Sequence, residues 1–159
     1  MKQQIIALLK SRDFDFEEMA EILKNLQIKY NPTLTREECA DAIDHVLDKR
    51  EVQNAILCGI TLDMMAERGE LGSELTRLLK TDDPLFGVDE SLGYSISTIY
   101  GTIGFTNYGY LDKTKPGLIA RLNNDTDHVN TFADDIAGAL IAAGAARLAH
   151  NRREGEKHQ

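Results

Sequence analysis

"NTFADDIAGALIAAGAARLAH", residues 130–150, opens on two adjacent aspartates and continues almost wholly in Ala, Gly, Ile and Leu. With Asp134 at zero and about 100° per residue, Asp135 falls at about 100°, and Gly138, Ala142, Ala145 and Ala149 at about 40°, 80°, 20° and 60°. The opposite side carries Ile136, Leu140 and Ala143, with Arg147 the lone charge. A helix that is apolar all round belongs in the middle of its bundle. A stripe of the smallest side chains lets a neighbouring helix backbone come close. The stretch therefore predicts a central helix over about 131–150, with two carboxylates at its N-terminus. Unpaired N–H groups and the helix dipole favour ionised acids there. Thr131 as N-cap with Asp134 as its capping-box partner would account for one of them without any ligand.

Outward from this helix the periodicity stays helical, and no segment alternates convincingly with period two. Residues 2–11 form a short helix, and Asp15 with Glu18 starts a second that ends before "NP" at 31–32. Thr35 with Glu38 starts a third, running to about Lys49, and residues 50–68 a fourth, followed by the breaker Gly69. A short helix spans about 73–80 before "TDDP" turns the chain, and residues 88–108 and about 116–123 are further helices. The expected architecture is all-α: one domain over 1–150, a helical bundle around the small-residue helix, with a polar tail at 151–159 that frays around His158.

The chain has 159 residues, enough for one domain with a real core. Its net charge of −8 excludes a dedicated nucleic-acid binder, which needs a basic footprint. No segment reaches the roughly 20 apolar residues that a membrane span requires. The N-terminal stretch "MKQQIIALLKSRDFDFEE" is too short in apolar residues for a secretory signal, so a cytoplasmic protein is expected, with peripheral membrane contact open to it. Cys39 and Cys58 make no metal or redox spacing and read as reduced, buried small hydrophobes. The four histidines are scattered. Helical bundles of this size often dimerise, so a homo-oligomer is compatible with this reading.

A second acid-headed stripe answers the first. From Glu90, with Asp89 beside it, Gly93, Ser97, Gly101 and Gly104 lie within about 60° of one direction on a helix. If the two stripes pack with their N-termini at one end, Asp89, Glu90, Asp134 and Asp135 converge; antiparallel packing would separate them. Between the acidic pairs, "GYLDKTKPG" sets Asp112 three residues before Lys115. Pro116 biases Lys115 towards an extended conformation and suits the first position of the next helix, placing a lysine beside a helix N-terminus where anions bind. Glu51 and Asn54, one turn apart, and Asp63 further on are second-rank candidates, and a solvent-facing helix side explains them equally well.

Together these residues resemble the phosphatidylglycerophosphatase A family. "DESLG" (89–93), "GFTNYGYLDKTKPG" (104–117) and "FADDIAGALIAAG" (132–144) look like the family's D-E-x-x-G, G-F-x-x-aromatic-x-x-L-D-x-x-K-P and D-D-I blocks, in order, over about residues 88–147. The resemblance implies Mg²⁺-dependent hydrolysis of a phosphate monoester, phosphatidylglycerophosphate or a related phospholipid or phosphorylated small molecule. By the same resemblance Asp89, Glu90, Asp134 and Asp135 would hold Mg²⁺, Lys115 would meet the phosphate, and Asp112 would serve as base or further ligand. Two features depart from the pattern. The family's arginine three residues before the motif aspartate is Gly109 here, and a Gly-Thr-x-Gly block occurs at 101–104, after the D-E block rather than early in the chain. With no hydrophobic span, the chain resembles a branch without transmembrane helices.

Two other classes stay open. "EMAE" (18–21) and "ECAD" (38–41) resemble the paired-helix Mg²⁺ site of all-α nucleoside triphosphate pyrophosphohydrolases, since residues three apart share a helix face. Loss of the motif arginine also fits a non-enzymatic protein that binds a metal or a lipid headgroup. "DFDFE" (13–17) imitates the D-x-D loop of haloacid-dehalogenase phosphatases, but no buried strand precedes it.

Overall fold

The computed structural model describes residues 1–157, and their side chains through Arg152. The described residues contain nine α-helices and no strand: α1 (Lys2–Lys10), α2 (Phe16–Gln27), α3 (Arg36–Val46), α4 (Arg50–Glu67), α5 (Ser73–Lys80), α6 (Val88–Ser97), α7 (Thr102–Thr114), α8 (Leu118–Asn123) and α9 (Ala133–Lys157). The expected all-α architecture is observed. No described helix is long and apolar enough to cross a membrane.

Helix α9 is the axis. Every residue from Thr131 to Ala146 is buried, and α2, α3, α4, α6, α7 and α8 pack around it, while α1 and α5 lean on α4. Alanine favours the helix, and Phe132, Ile136, Leu140 and Ile141 supply the large apolar surface, each worth about 1.5–3 kcal/mol when fully buried. The helix runs to Lys157, beyond the predicted end near 150; fraying at His158 lies outside the described residues.

Local capping explains several starts. Thr35 and Glu38 form the expected capping box of α3. Asp15 caps α2 through the amides of Glu17 and Glu18, but the Glu18 carboxylate turns instead to Arg121 on α8, at 2.7 Å. Cys39 is buried as expected; Cys58 is exposed on α4, because the helix turns that position outward.

The largest departure lies at 88–108, predicted as one helix. The chain makes α6, a 3-10 turn at Thr98–Tyr100 and then α7, broken at Gly101 with φ of 97°. Only glycine takes that conformation without strain. At Gly104 a Cβ would stand 1.8 Å from the Ser97 carbonyl oxygen, so the start of α7 folds tightly over the end of α6. The small-residue positions read as one stripe thus serve two helices joined by a sharp corner.

That corner sets direction. Along α7, Gly104 faces Ala146, Tyr108 faces Gly138 and Lys115 reaches Asp134, so α7 runs antiparallel to α9. Reversed at Gly101, α6 runs parallel to α9, with Gly101 near His150 and the Asp89 end near Asp135. The C-terminus of α7 and the N-termini of α6 and α9 therefore meet at one end of the bundle.

Candidate active site

At that end lie Asp89 of α6, Asp112 and Lys115 of α7, and Asp134 and Asp135 of α9, joined by Asp82 from the turn after α5. Lys115 Nζ donates to Asp112 Oδ1 at 3.0 Å and to Asp134 Oδ2 at 2.9 Å. Pro116 does not leave Lys115 extended: the residue closes α7 in the left-handed region at φ 41°. Helix α8 begins at Leu118 behind Gly117, so its N-terminus is not what the lysine serves. The ammonium is instead the cation set among the carboxylates.

Asp135 Oδ1 accepts a 2.7 Å hydrogen bond from the Tyr108 hydroxyl. Asp89 is 9% exposed, and its Oδ1 is buried with no hydrogen-bond partner. A buried carboxylate oxygen left unpaired is costly and points to a missing donor or cation.

The electrostatics express this crowding. Burial pushes the Asp135 carboxyl up to about 8, with the charges of Asp134, Asp89 and Asp112 adding to the rise against the Tyr108 hydrogen bond. Burial lifts Asp134 to about 6 despite the opposing pull of Lys115. Asp89 is raised by burial, against hydrogen bonds from its own and the Glu90 amide. Asp82, exposed in its turn, is raised by partial desolvation against the pull of Lys115, with Asp112 adding to the rise. Burial alone would depress the Lys115 ammonium, but Asp134 and Asp112 outweigh it and hold its pKa above the ordinary lysine value. Asp134 stays raised although paired because its side chain is the more buried of the two, 7% exposed against 29% for Lys115. Tyr108 is pushed far up by burial and by Asp135, so its hydroxyl stays a donor.

Not every predicted residue joins the cluster. Glu90 is exposed at the start of α6. Glu51 and Asn54 are exposed on α4, with no hydrogen bond or ion pair to the cluster. Asp63, fully buried, accepts from the Phe132 amide at 3.1 Å and the Ala133 amide at 3.0 Å, and so caps α9 from across the core. Burial pushes its carboxyl up to about 8 in spite of these donors. Thr131 does not cap α9; its hydroxyl donates to the Leu79 carbonyl, and Asp134 is paired with Lys115. In the N-terminal half, Glu18 binds Arg121, Glu38 closes its capping box and Asp41 faces His45, so these acids are engaged locally.

A second group was not foreseen from sequence. One ligand atom each of Asp13, Asp125 and His128 lies within 4.8 Å of the others, the described residues' one such group of three or more. They border a cavity of about 1100 Å³ with Lys10 and Arg121. Asp125 is already occupied there: it accepts from the Asp127 amide, from His128 Nδ1 at 2.7 Å and from Asn130. Sequence reading also missed Asp82 and Tyr108. Asp82 sits in a turn quoted only as a breaker, while Tyr108 lies one helical turn before Asp112, which is the signal that could have found it.

A family model described as Phosphatidylglycerophosphatase A matches residues 18–150. An uncharacterized protein of Bacillus subtilis (strain 168), YutG, is 50% identical over 157 residues, covering 98% of this chain and 95% of its own. A second from that organism, YpjQ, is 45% identical over 147 residues, covering 92% of this chain and 83% of its own. The crystal structure of the low temperature requirement C protein from Listeria monocytogenes superposes with a TM-score of 0.92 at 50% identity, covering 96% of each chain.

Proposed function

The chain belongs to the phosphatidylglycerophosphatase A family, and from its acidic site we propose that it is a Mg²⁺-dependent phosphatase acting on a phosphate monoester, phosphatidylglycerophosphate or a related phosphorylated molecule. The observation that carries this reading is the unpartnered, buried Asp89 Oδ1 among carboxylates that Lys115 alone cannot neutralise.

The donor set fits magnesium. All the acids are hard oxygen ligands, and Mg²⁺ keeps several waters while binding through one or two carboxylates and substrate phosphate oxygens. It therefore does not need three carboxylate oxygens already drawn together. Asp89, Asp134 and Asp135 would hold the ion. Bound there, it supplies positive charge against the phosphoryl oxygens and activates water.

The chain's own residues account for the rest. Lys115 turns from its carboxylates towards the phosphate as a point charge, and with Gly109 at the motif arginine's position it is the side-chain cation for that task. A Cβ at Gly109 would meet nothing within 4 Å, so the position itself has room for a side chain. Asp112 is half-buried and gives one oxygen to Lys115, which leaves the other to take a proton from water attacking phosphorus. The phosphorus–ester oxygen bond breaks, the leaving oxygen takes a proton from solvent, and Asp112 returns its proton to solvent as alcohol and inorganic phosphate leave.

The test is phosphate release from phosphatidylglycerophosphate and a panel of soluble monoesters, with Mg²⁺ and with chelator. Wild type is compared with Asp135→Asn and His128→Ala. Release that needs Mg²⁺ and disappears in Asp135→Asn but not in His128→Ala is the expected result. Loss in His128→Ala alone would move the metal to the Asp13, Asp125 and His128 group. Metal binding without release from any substrate would leave the non-enzymatic alternative.

A further inference from the structure

We infer that Tyr108 is a positioning residue for the Asp135 carboxylate, its hydroxyl holding one oxygen so that the other is presented to the cation; this rests on the reading of the acidic site as a metal site. Asp135 is buried and its Oδ1 has one hydrogen-bond donor, the Tyr108 hydroxyl at 2.7 Å. Ligating carboxylates are oriented by outer partners of this kind, and loss of such a partner typically costs about 10- to 100-fold in metal affinity or activity.

The tyrosine is built in from three sides. Its ring is 1% exposed and meets Tyr94 edge-on at 5.3 Å. Tyr94 in turn stacks on Phe105 at 5.1 Å, one turn before Tyr108 on α7. On α9 the ring lies over Gly138, where a Cβ would make ordinary contact at 3.7 Å. On α6 the constraint is sharper: a Cβ at Gly93 would stand 2.3 Å from the hydroxyl oxygen and 2.5 Å from the ring carbon that bears it. Gly93 is therefore the space through which the hydroxyl reaches α9. Apolar packing alone would be met by phenylalanine; what the hydroxyl adds is the bond to Asp135.

Two variants separate this role from packing. Tyr108→Phe keeps the ring and deletes the donor. Gly93→Ala crowds the hydroxyl without substituting any acid. Each purified chain, stripped with chelator, is titrated with Mn²⁺ by electron paramagnetic resonance, with Mg²⁺ as competitor, beside wild type, Asp135→Asn and His128→Ala. Circular dichroism establishes equal folding before titration. The expected result is a roughly 10- to 100-fold loss of Mn²⁺ affinity in Tyr108→Phe. Gly93→Ala should fall in the same direction, because its Cβ would displace the hydroxyl from Asp135. Wild-type affinity in Tyr108→Phe, with affinity lost in Asp135→Asn, overturns this inference and leaves the metal site standing. No Mn²⁺ binding by wild type, or unchanged binding by Asp135→Asn, overturns the site and the inference with it.

Discussion

Lys115 bridges two carboxylates at the left-handed end of α7, and it carries two burdens that substitution can separate. One is structural: without the ammonium, the buried Asp134 oxygen is left without its donor. Lys115→Met should lower stability in chelator by about 1–3 kcal/mol, read by urea denaturation. The other is chemical on the proposed phosphatase reading, in which the charge would meet the phosphate. The same variant should lose about 10²- to 10³-fold in kcat/KM, a loss that saturating Mg²⁺ does not restore. A variant with normal turnover once Mg²⁺ saturates would confine the lysine to its structural task.

Helix α9 starts where α4 supplies its cap. Asp63 accepts the Phe132 and Ala133 amides, so the entry of the central helix is fixed by a residue some 70 positions earlier (|i−j| of 69 and 70). Asp63→Ala removes that acceptor from a dry interface and should cost about 1–3 kcal/mol in chemical denaturation. Because its oxygens face amides, Mn²⁺ binding should survive in the folded fraction; a loss as complete as that of Asp135→Asn would make Asp63 a ligand. The corner between α6 and α7 does comparable work. By reversing the chain at Gly101 it brings both Asp89 and Asp112 to the N-terminus of α9, which a single straight helix could not do.

The assembled molecule buries acids whose folded pKa values exceed their ordinary values near 4. Asp134 is raised to about 6 and Asp135 and Asp63 to about 8. A raised carboxyl binds its proton more tightly in the folded state. Its contribution to stability is therefore full below the unfolded pKa and is lost as pH rises through the folded value. The exposed acids of ion pairs, such as Glu70 with Arg68, are lowered and lose their contribution only at the acid end. In chelator the melting temperature should accordingly fall between about pH 4 and about pH 8. Mg²⁺ should reverse the fall by neutralising the site, adding about 2.7 kcal/mol at a hundred times its dissociation constant. A chelated protein whose melting temperature stays flat or rises over that range would contradict the crowding of charge described here.

The sequence by itself determined the all-α class, most of the helices and the centre of the bundle, but not the corner that splits 88–108. An all-round apolar run such as 136–146 has no stable place except the core, and the Thr35–Glu38 box marks its helix start by local hydrogen bonds alone. It also pointed to Asp89, Asp134 and Asp135 as acids heading small-residue stripes, and to Asp112 and Lys115 by their spacing before Pro116. Only the tertiary structure decided which acids meet. Glu90 and Asp89 are adjacent in the chain, yet helix rotation exposes one and buries the other. Asp82 and Tyr108 enter through a turn and through a glycine-sized gap between helices, and Asp63 leaves the list of ligands because it caps α9 across the core. The physical reason is common to all of them: periodicity is a property of one helix, whereas a site is made where several helix ends come together, and their relative direction is set by long-range packing.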